Sequence, residues 1–311
     1  MDLKQLEAFV TVAKYSSFSK AADAMYLTQP TISSHIKSLE EELGVQLLVR
    51  SSKTVFPTSI GKDFFSYAQN MLTLRDEAFK CMLGSSYQSR GEIDILSSTV
   101  PAQHLLPEVI ASFNKEYPHV VFRVQQTDSR QVVEELPGFQ YDFGLVGISV
   151  SDPRLDSLFI CEDTMVVVAP VGVTQDLALD SDDDISKFLS NKVYVMREEG
   201  SGTRAEMSSL LAQYGISLDR LRAVAYFNDN QSILNAVSHG LGIAIVSKLT
   251  AATYAEQGLI DMFDVKSSAS RRSFYLLTKK ELQLSPIQQT FADFIVSFYK
   301  TFPEGPEHTA E

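Results

Sequence analysis

A chain of 311 residues, 44% hydrophobic and 21% charged, is long enough for two or three domains with sizeable cores. Two cysteines, Cys81 and Cys161, are too few for a disulfide framework or a metal cluster. No run approaches a membrane span, and Met1-Asp2-Leu3-Lys4-Gln5 does not start a signal peptide, so a cytoplasmic protein with buried or incidental thiols is expected. The net charge is −12, yet residues 1–58 hold six basic and six acidic side chains, so the acidity lies entirely beyond them. A neutral module of this size wins affinity for a polyanion through local placement of a few cations and through bivalency.

Leu3, Leu6, Phe9, Val10 and Ala13 mark a first amphipathic helix, and Phe18, Ala21, Ala22 and Met25 share the face of a second. Ile32, Ile36, Leu39 and Leu43 then recur at steps of four, three and four, the seam of a third helix. Thr28 suits its cap, Pro30 its first turn and Gly44 its end. Two short helices joined by a tight turn, with small polar and basic residues opposite the seam, read as a helix-turn-helix. Thr28, Gln29, Pro30, Thr31, Ser33, Ser34 and Lys37 are the candidate DNA contacts: hydroxyls and an amide reach base edges, and lysine suits phosphate. Val45 to Thr58 reads as a wing, two short apolar strands around a polar tip. Arg50, Ser51 and Lys53 are its candidate contacts with DNA backbone or minor groove. Taken alone, the helix pair favours a generic helical hairpin with a solvated polar face.

Ile60, Phe64, Tyr67, Met71, Leu74, Ala78 and Cys81 follow alternating steps of four and three, a coiled-coil seam over residues 59–84. The first six are the candidate dimerisation residues; a core helix packed on its own domain is the alternative. Residues 85–90 form a polar hinge. Strand and helix patterns then alternate. Strands are expected at Glu92–Ser97, Val120–Thr127, Tyr141–Ile148, in two pieces over Leu158–Ala169, and at Lys192–Met196, Ala223–Phe227, Ile243–Val246 and Ser273–Thr278. Helices are expected at Leu105–Tyr117, Val132–Leu136, Thr203–Tyr214, Ile233–Gly240 and Pro286–Phe302. Such alternation predicts a mostly parallel α/β sheet.

The ordered set Ala21-Ala22, Thr28-Gln29-Pro30, Ser33, Leu39-Glu40-Glu41-Glu42-Leu43-Gly44, Leu47-Leu48-Val49-Arg50 and Thr58-Ser59-Ile60-Gly61 closely resembles the LysR-type transcriptional regulators. The resemblance runs the whole length and is sharpest from Leu3 to Gly61. Ser34 stands where many members carry arginine, and Phe56-Pro57-Thr58 replaces the usual leucine-threonine exit from the wing. The resemblance implies a winged helix-turn-helix over 1–58 and a long dimerisation helix over 59–84. It also implies an α/β effector domain of two lobes similar to type II periplasmic binding proteins. We place the first lobe at 91–163 and 267–302, the second at 164–266, and a polar tail at 303–311. It further implies double-stranded DNA, a small-molecule effector, and a homodimer or homotetramer as partners, with no cofactor, no metal, no catalysis and no membrane.

The effector chemistry is read from Arg197-Glu198-Glu199-Gly200-Ser201-Gly202-Thr203-Arg204, where a strand passes through a glycine-rich loop into a helix. Free N–H groups at that helix start, with Ser201, Gly202, Thr203 and Arg204, form an anion cradle; a helix start satisfied by its own caps is the alternative. Strand ends add Ser98, Thr99, Gly147, Ser149 and Asn230. The set suits a carboxylate or an oxyanion. A solute-binding protein or an enzyme of the same α/β fold is the competing reading. It lacks a nucleophile elbow or metal-ligand spacing and leaves the N-terminal module unexplained.

Overall fold

The computed structural model describes residues 1–50, 55–83, 91–173, 182–265, 270–280 and 282–301. The N-terminal module holds α1 (Leu3–Tyr15), α2 (Phe18–Ala24), α3 (Gln29–Leu43), β1 (Leu48–Arg50), β2 (Val55–Pro57) and the first half of α4 (Ser59–Leu83). Each early helix starts on a side-chain cap: Asp2 and Gln5 form a capping box, and Ser17 and Thr28 accept from Lys20 N and Thr31 N. Leu6, Phe9, Val12, Phe18, Ala21, Ile32, Ile36 and Leu39 make one core with Phe65, Ala68 and Leu72 of α4. Ala21 and Ala22 let α2 approach closely. Leu43, expected in the α3 seam, is instead 37% exposed, and Leu47 just beyond the helix takes its place in the core.

The wing is anchored to the recognition helix through Glu40. Its carboxylate accepts from Leu47 N at 2.8 Å and Leu48 N at 3.0 Å. Thr58 Oγ1 then caps α4 by accepting from Gly61 N and donates to Gln46 O. A Cβ at position 61 would lie 2.0 Å from Leu47 O, so the glycine of the Thr58-x-x-Gly61 start is required by backbone approach.

The C-terminal region has two lobes. The first contains β3 (Gly91–Ser98), a π-helical turn at Pro101–Leu105 leading into α5 (Leu106–Glu116), β4 (Val120–Thr127), α6 (Ser129–Glu135) and β5 (Phe143–Val146). β6 (Leu155–Ala169) then runs as one 15-residue strand through both lobes, where two pieces were expected. The second lobe adds α7 (Asp182–Ser190), β7 (Val193–Arg197), α8 (Gly202–Gln213), β8 (Arg222–Phe227), α9 (Asn230–Ser238), β9 (Ala244–Ser247), α10 (Lys248–Glu256) and β10 (Asp261–Asp264). The chain returns through β11 (Arg271–Lys279) and closes the first lobe with α11 (Pro286–Thr301).

Along β6, Leu155 to Thr164 pair with β11, whereas residues from Met165 onward pair with β9 and β10. Separate cores flank this changeover. Ile93, Ile95, Phe113, Phe143, Phe274 and Phe291 fill one, and Met165, Val167, Leu189, Tyr194, Leu210 and Leu211 another. The expectation of a mostly parallel sheet is corrected. β3 pairs in parallel with β4 and β5, and β7 with β8, but every pairing of β6 and β11 is antiparallel. Strands that return between lobes must reverse direction, and periodicity carries no sign of that. α7, α10 and β10 were not foreseen; α7 begins in an acidic run and α10 in mixed polar residues that show no clear seam.

Candidate functional site: the recognition helix and the inter-lobe cleft

α3 stands clear of its core on one side. Gln29, Pro30, Ser34 and Lys37 are exposed, while Thr31 and Ser33 are half-buried. Thr31 is partly spent on structure, since its hydroxyl lies 2.8 Å from Thr28 Oγ1 and its N–H is held by the same atom. The Gln29 amide oxygen accepts from Ser19 Oγ. Lys37 Nζ lies 3.5 Å from Glu41, an exposed pair one turn apart that water and salt keep weak. Ser51 and Lys53 fall outside the described residues, as does the side chain of Arg50. Tyr26, which the sequence reading missed, sits in the turn before α3 at 96% exposure and φ +55°. It occupies the left-handed position that ends α2, where glycine or asparagine is the cheap residue. An exposed tyrosine on a helical wheel carries no signal; only the backbone angle singles it out.

Along α4, Ile60, Tyr67, Met71, Leu74 and Ala78 are exposed, a continuous apolar stripe on the outer face. Phe64 departs from that stripe. It turns toward the module's core, with its ring 5.4 Å from that of Phe9.

In the C-terminal region a small cavity lies where the two lobes meet. Ser98, Thr99, Val100, Asp128 and Ser129 line it from the first lobe, and Arg197, Ser201, Gly202, Thr203 and Arg272 complete it. Its volume is about 10 Å³, room for one water at most. Ser98 and Thr99 arrive at the end of β3, Asp128 and Ser129 at the start of α6, and the Ser201–Thr203 stretch at the start of α8. Ser201 makes no side-chain cap there.

Two buried guanidiniums dominate this place. Arg197, 4% exposed, is well partnered: its fork meets Glu198 at 2.8 and 2.9 Å, Asn230 Oδ1 at 2.9 Å and Asn228 O at 3.0 Å, with Thr99 Oγ1 at 3.3 Å. Arg272, 3% exposed, is not. Its contacts are Thr203 Oγ1 and Gly147 O, both at 3.4 Å, and Met165 Sδ at 3.8 Å. Its Nε has no partner among the described residues, and neither does Nδ2 of buried Asn230. Phe274 lies 4.7 Å below the guanidinium. Burial pulls Arg272 below the ordinary arginine range, opposed by the charges of Asp163 and Glu206. Burial in turn pushes both those carboxyls up. A buried cation with long hydrogen bonds and an orphaned donor is costly, and an incoming anion is the group that relieves it.

The structure therefore brings together Ser98, Thr99, Ser201, Gly202 and Thr203. Gly147 contributes its carbonyl to Arg272, and Asn230 holds Arg197 from behind. Ser149 and Arg204 lie elsewhere, in a wider groove of about 560 Å³ on the other side of the Ser201–Gly202 stretch. Arg204 donates to Arg197 O and lies over the Tyr226 ring, so it points away from the cradle. Arg272 was invisible to motif reading because it comes from a strand about 70 positions away.

Comparison with known proteins decides the family. Residues 3–62 match the model of the bacterial regulatory helix-turn-helix protein, lysR family, and residues 87–299 that of the LysR substrate binding domain. The chain belongs to the LysR family of transcriptional regulators. A RuBisCO operon transcriptional regulator of Allochromatium vinosum is 30% identical over 96% of both chains. Among solved structures, a full-length OxyR variant of Pseudomonas aeruginosa aligns over 95% of this chain and 94% of its own, with TM-score 0.72 at 19% identity. The Synechocystis CcmR regulatory domain in complex with 2-PG covers 69% of this chain and 100% of its own, with TM-score 0.61 at 23% identity. In this LysR-type regulator the winged module is thus the DNA-binding domain and the two lobes are the effector-binding domain. Among the described residues no helix is long and apolar enough to cross a membrane.

Proposed function

We propose that this LysR-type regulator senses a small anion held between its lobes by Arg272, the start of α8, and the hydroxyls of Ser98, Thr99, Ser201 and Thr203. The observation that carries the reading is Arg272, a buried, poorly partnered cation at the lining of the cleft whose Nε has no partner among the described residues. The likeness to a regulatory domain solved with 2-PG supports the same class of ligand. The cavity is too small for a carboxylate or an oxyanion, so uptake has to part Arg272 from Gly147. The anion therefore selects a lobe arrangement different from this one, which is a population shift.

In this reading Thr28, Gln29, Pro30, Ser33, Ser34, Lys37 and the wing residues Arg50, Ser51 and Lys53 meet DNA, with Thr31 placing the helix start and Tyr26 added to the contacts. The exposed stripe of α4 pairs two chains, and pairs of dimers give a homotetramer in the cytoplasm. The domains are 1–58 and 59–84, then 91–163 with 267–302 as the first lobe and 164–266 as the second; the hinge assigned to 85–90 falls outside the described residues. The test is calorimetric titration of the full chain with sulfate, phosphate and a panel of small carboxylates at fixed ionic strength. Saturable binding of one of them, lost in Arg272→Met, is expected. Equal binding by the variant moves the effector away from Arg272.

A further inference from the structure

A second set of buried charges lies far from the cleft, at the seam between the DNA-binding domain and the first lobe. Lys14 of α1 reaches across to an ion pair with Asp94 on β3, and its Nζ is 3.9 Å from Asp142, just before β5. Both carboxylates are largely buried, with side chains 10% and 13% exposed. They are also locked to one another: Asp142 Oδ2 accepts from Asp94 N at 2.8 Å, and Asp142 N donates to Asp94 O at 2.7 Å. Two buried carboxylates this close repel unless cations sit on them; Arg123 of β4 lies 3.6 Å from Asp94 Oδ1 within the same lobe, and Lys14 adds the cation that comes from another domain and reaches both carboxylates.

Other contacts converge on the same seam. Phe139, in the loop before β5, packs against the DNA-binding core with its ring 4.3 Å from that of Phe65. Tyr15 donates to Glu92, which is also clasped by Arg123. Asn70 of α4 accepts from Gln283 N at 2.9 Å. Two of these anchors sit on strands that end at the cleft. β3 begins with Glu92 and Asp94 and ends with Ser97 and Ser98; β5 is preceded by Asp142 and followed by Gly147. Asp94 and Ser98 are therefore separated by only four residues of strand, roughly 13 Å at 3.3 Å per residue.

We infer that Lys14 is an intramolecular latch: by seating on the Asp94–Asp142 pair it holds the DNA-binding domain against the first lobe of its own chain and fixes the direction in which the recognition helix points. The latch does not depend on the identity of the effector or on the reading of the cleft, and no effector is needed to test it. A cation inserted into a carboxylate pair, with the Phe139 ring tilted against Phe65 beside it, gives one preferred pose.

The test is a spin-label distance measurement on the full chain without DNA, with both native cysteines replaced by serine. Labels sit at the exposed positions Ala24→Cys and Asn114→Cys, and labelled protein is diluted with unlabelled protein so that distances within one chain dominate. A narrow distribution is expected for the parent and at least a twofold broader one for Lys14→Ala. Binding to a random 30-base-pair duplex should stay within about twofold, since the Lys14 ammonium is engaged by Asp94 and Asp142 of the first lobe. The reversal Lys14→Glu should broaden the distribution, and the double reversal Lys14→Glu with Asp94→Lys should narrow it again, which a merely structural lysine would not allow. An unchanged width in Lys14→Ala overturns the latch. Should that variant fold poorly, the reversed pair decides alone: restoration supports the latch, and a distribution as broad as in Lys14→Glu overturns it.

Discussion

The Arg272 guanidinium lies against the carbonyl of Gly147, Nη2 to O at 3.4 Å, and a Cβ at position 147 would stand 1.9 Å from that nitrogen. A strand of the return crossover thus meets a loop of the first lobe with no space for a side chain between them. The contact is long for a charged donor, so the arginine is desolvated without being well satisfied. Asp163 and Glu206 act on the same guanidinium, so Arg272→Met leaves two buried carboxyls without their cation. The variant should lose about 3–5 kcal/mol of stability at neutral pH and should lose the anion response. Thermal unfolding of the free variant, together with the titration, checks both signs. A variant that is as stable as the parent and still responds contradicts this account of Arg272.

Tyr26 sets stability against binding on the DNA side. A non-glycine residue at φ +55° costs about 1–2 kcal/mol. Tyr26→Gly should raise stability and lower DNA affinity, while Tyr26→Phe should leave stability alone and weaken DNA binding about fivefold, the worth of roughly one hydrogen bond. Chemical denaturation and fluorescence anisotropy separate the two effects. Undiminished affinity in both variants would make the turn purely architectural.

Lys37 is exposed on α3 and only weakly paired with Glu41. Lys37→Ala should weaken DNA binding across all sequences and lower the slope of log affinity against log salt by about one, the loss of one phosphate contact. An unchanged slope removes Lys37 from the phosphate contacts.

Lys279, beside the latch, donates to Gly138 O at 2.7 Å, and burial lowers its pKa to about 8 from the ordinary 10.5. Between those values the unfolded chain holds a proton that the folded chain has released. Stability attributable to this group is therefore flat below about pH 8, rises with pH up to about 10.5 and then levels. Lys279→Met should remove that rise. The difference between wild-type and variant unfolding free energies from pH 7 to 11 measures it, and parallel curves would refute the assignment.

Cys161 is half-buried, and burial, with the charge of Asp163, pushes its thiol up to about 12. A thiol this weakly acidic has little thiolate at neutral pH and is a poor nucleophile. In a Cys81→Ser background, iodoacetamide at pH 8 should label the native chain far more slowly than the unfolded one. Equal rates would show a reactive thiolate at this position and contradict the burial of the thiol.

The winged module was legible almost residue by residue, because its evidence is local. Ile32, Ile36 and Leu39 announce a helix face, Thr28 and Gly44 its ends, and Thr58 the start of the next helix. Each depends on partners a few positions away. Even there, Leu43 and Phe64 were misplaced. A wheel gives the direction of a side chain and leaves open which neighbour, Leu47 or a second chain, fills the space beside it. In the lobes, the strand and helix order and the hydroxyl-rich ends at Ser98, Thr99, Ser201 and Thr203 were likewise readable from alternation and capping chemistry.

Tertiary structure alone decided three things. It set the mixed direction of the sheet, since strand polarity depends on how β6 and β11 cross between lobes. It put Arg272 at the cleft and turned Arg204 away, because the desolvation that gives a charge its chemistry arises only when distant segments close around it. And it joined Lys14 to Asp94 and Asp142. The amino-acid sequence determined that these three residues could be charged; the fold determined that they share one buried place, and with it the pose of the DNA-binding domain.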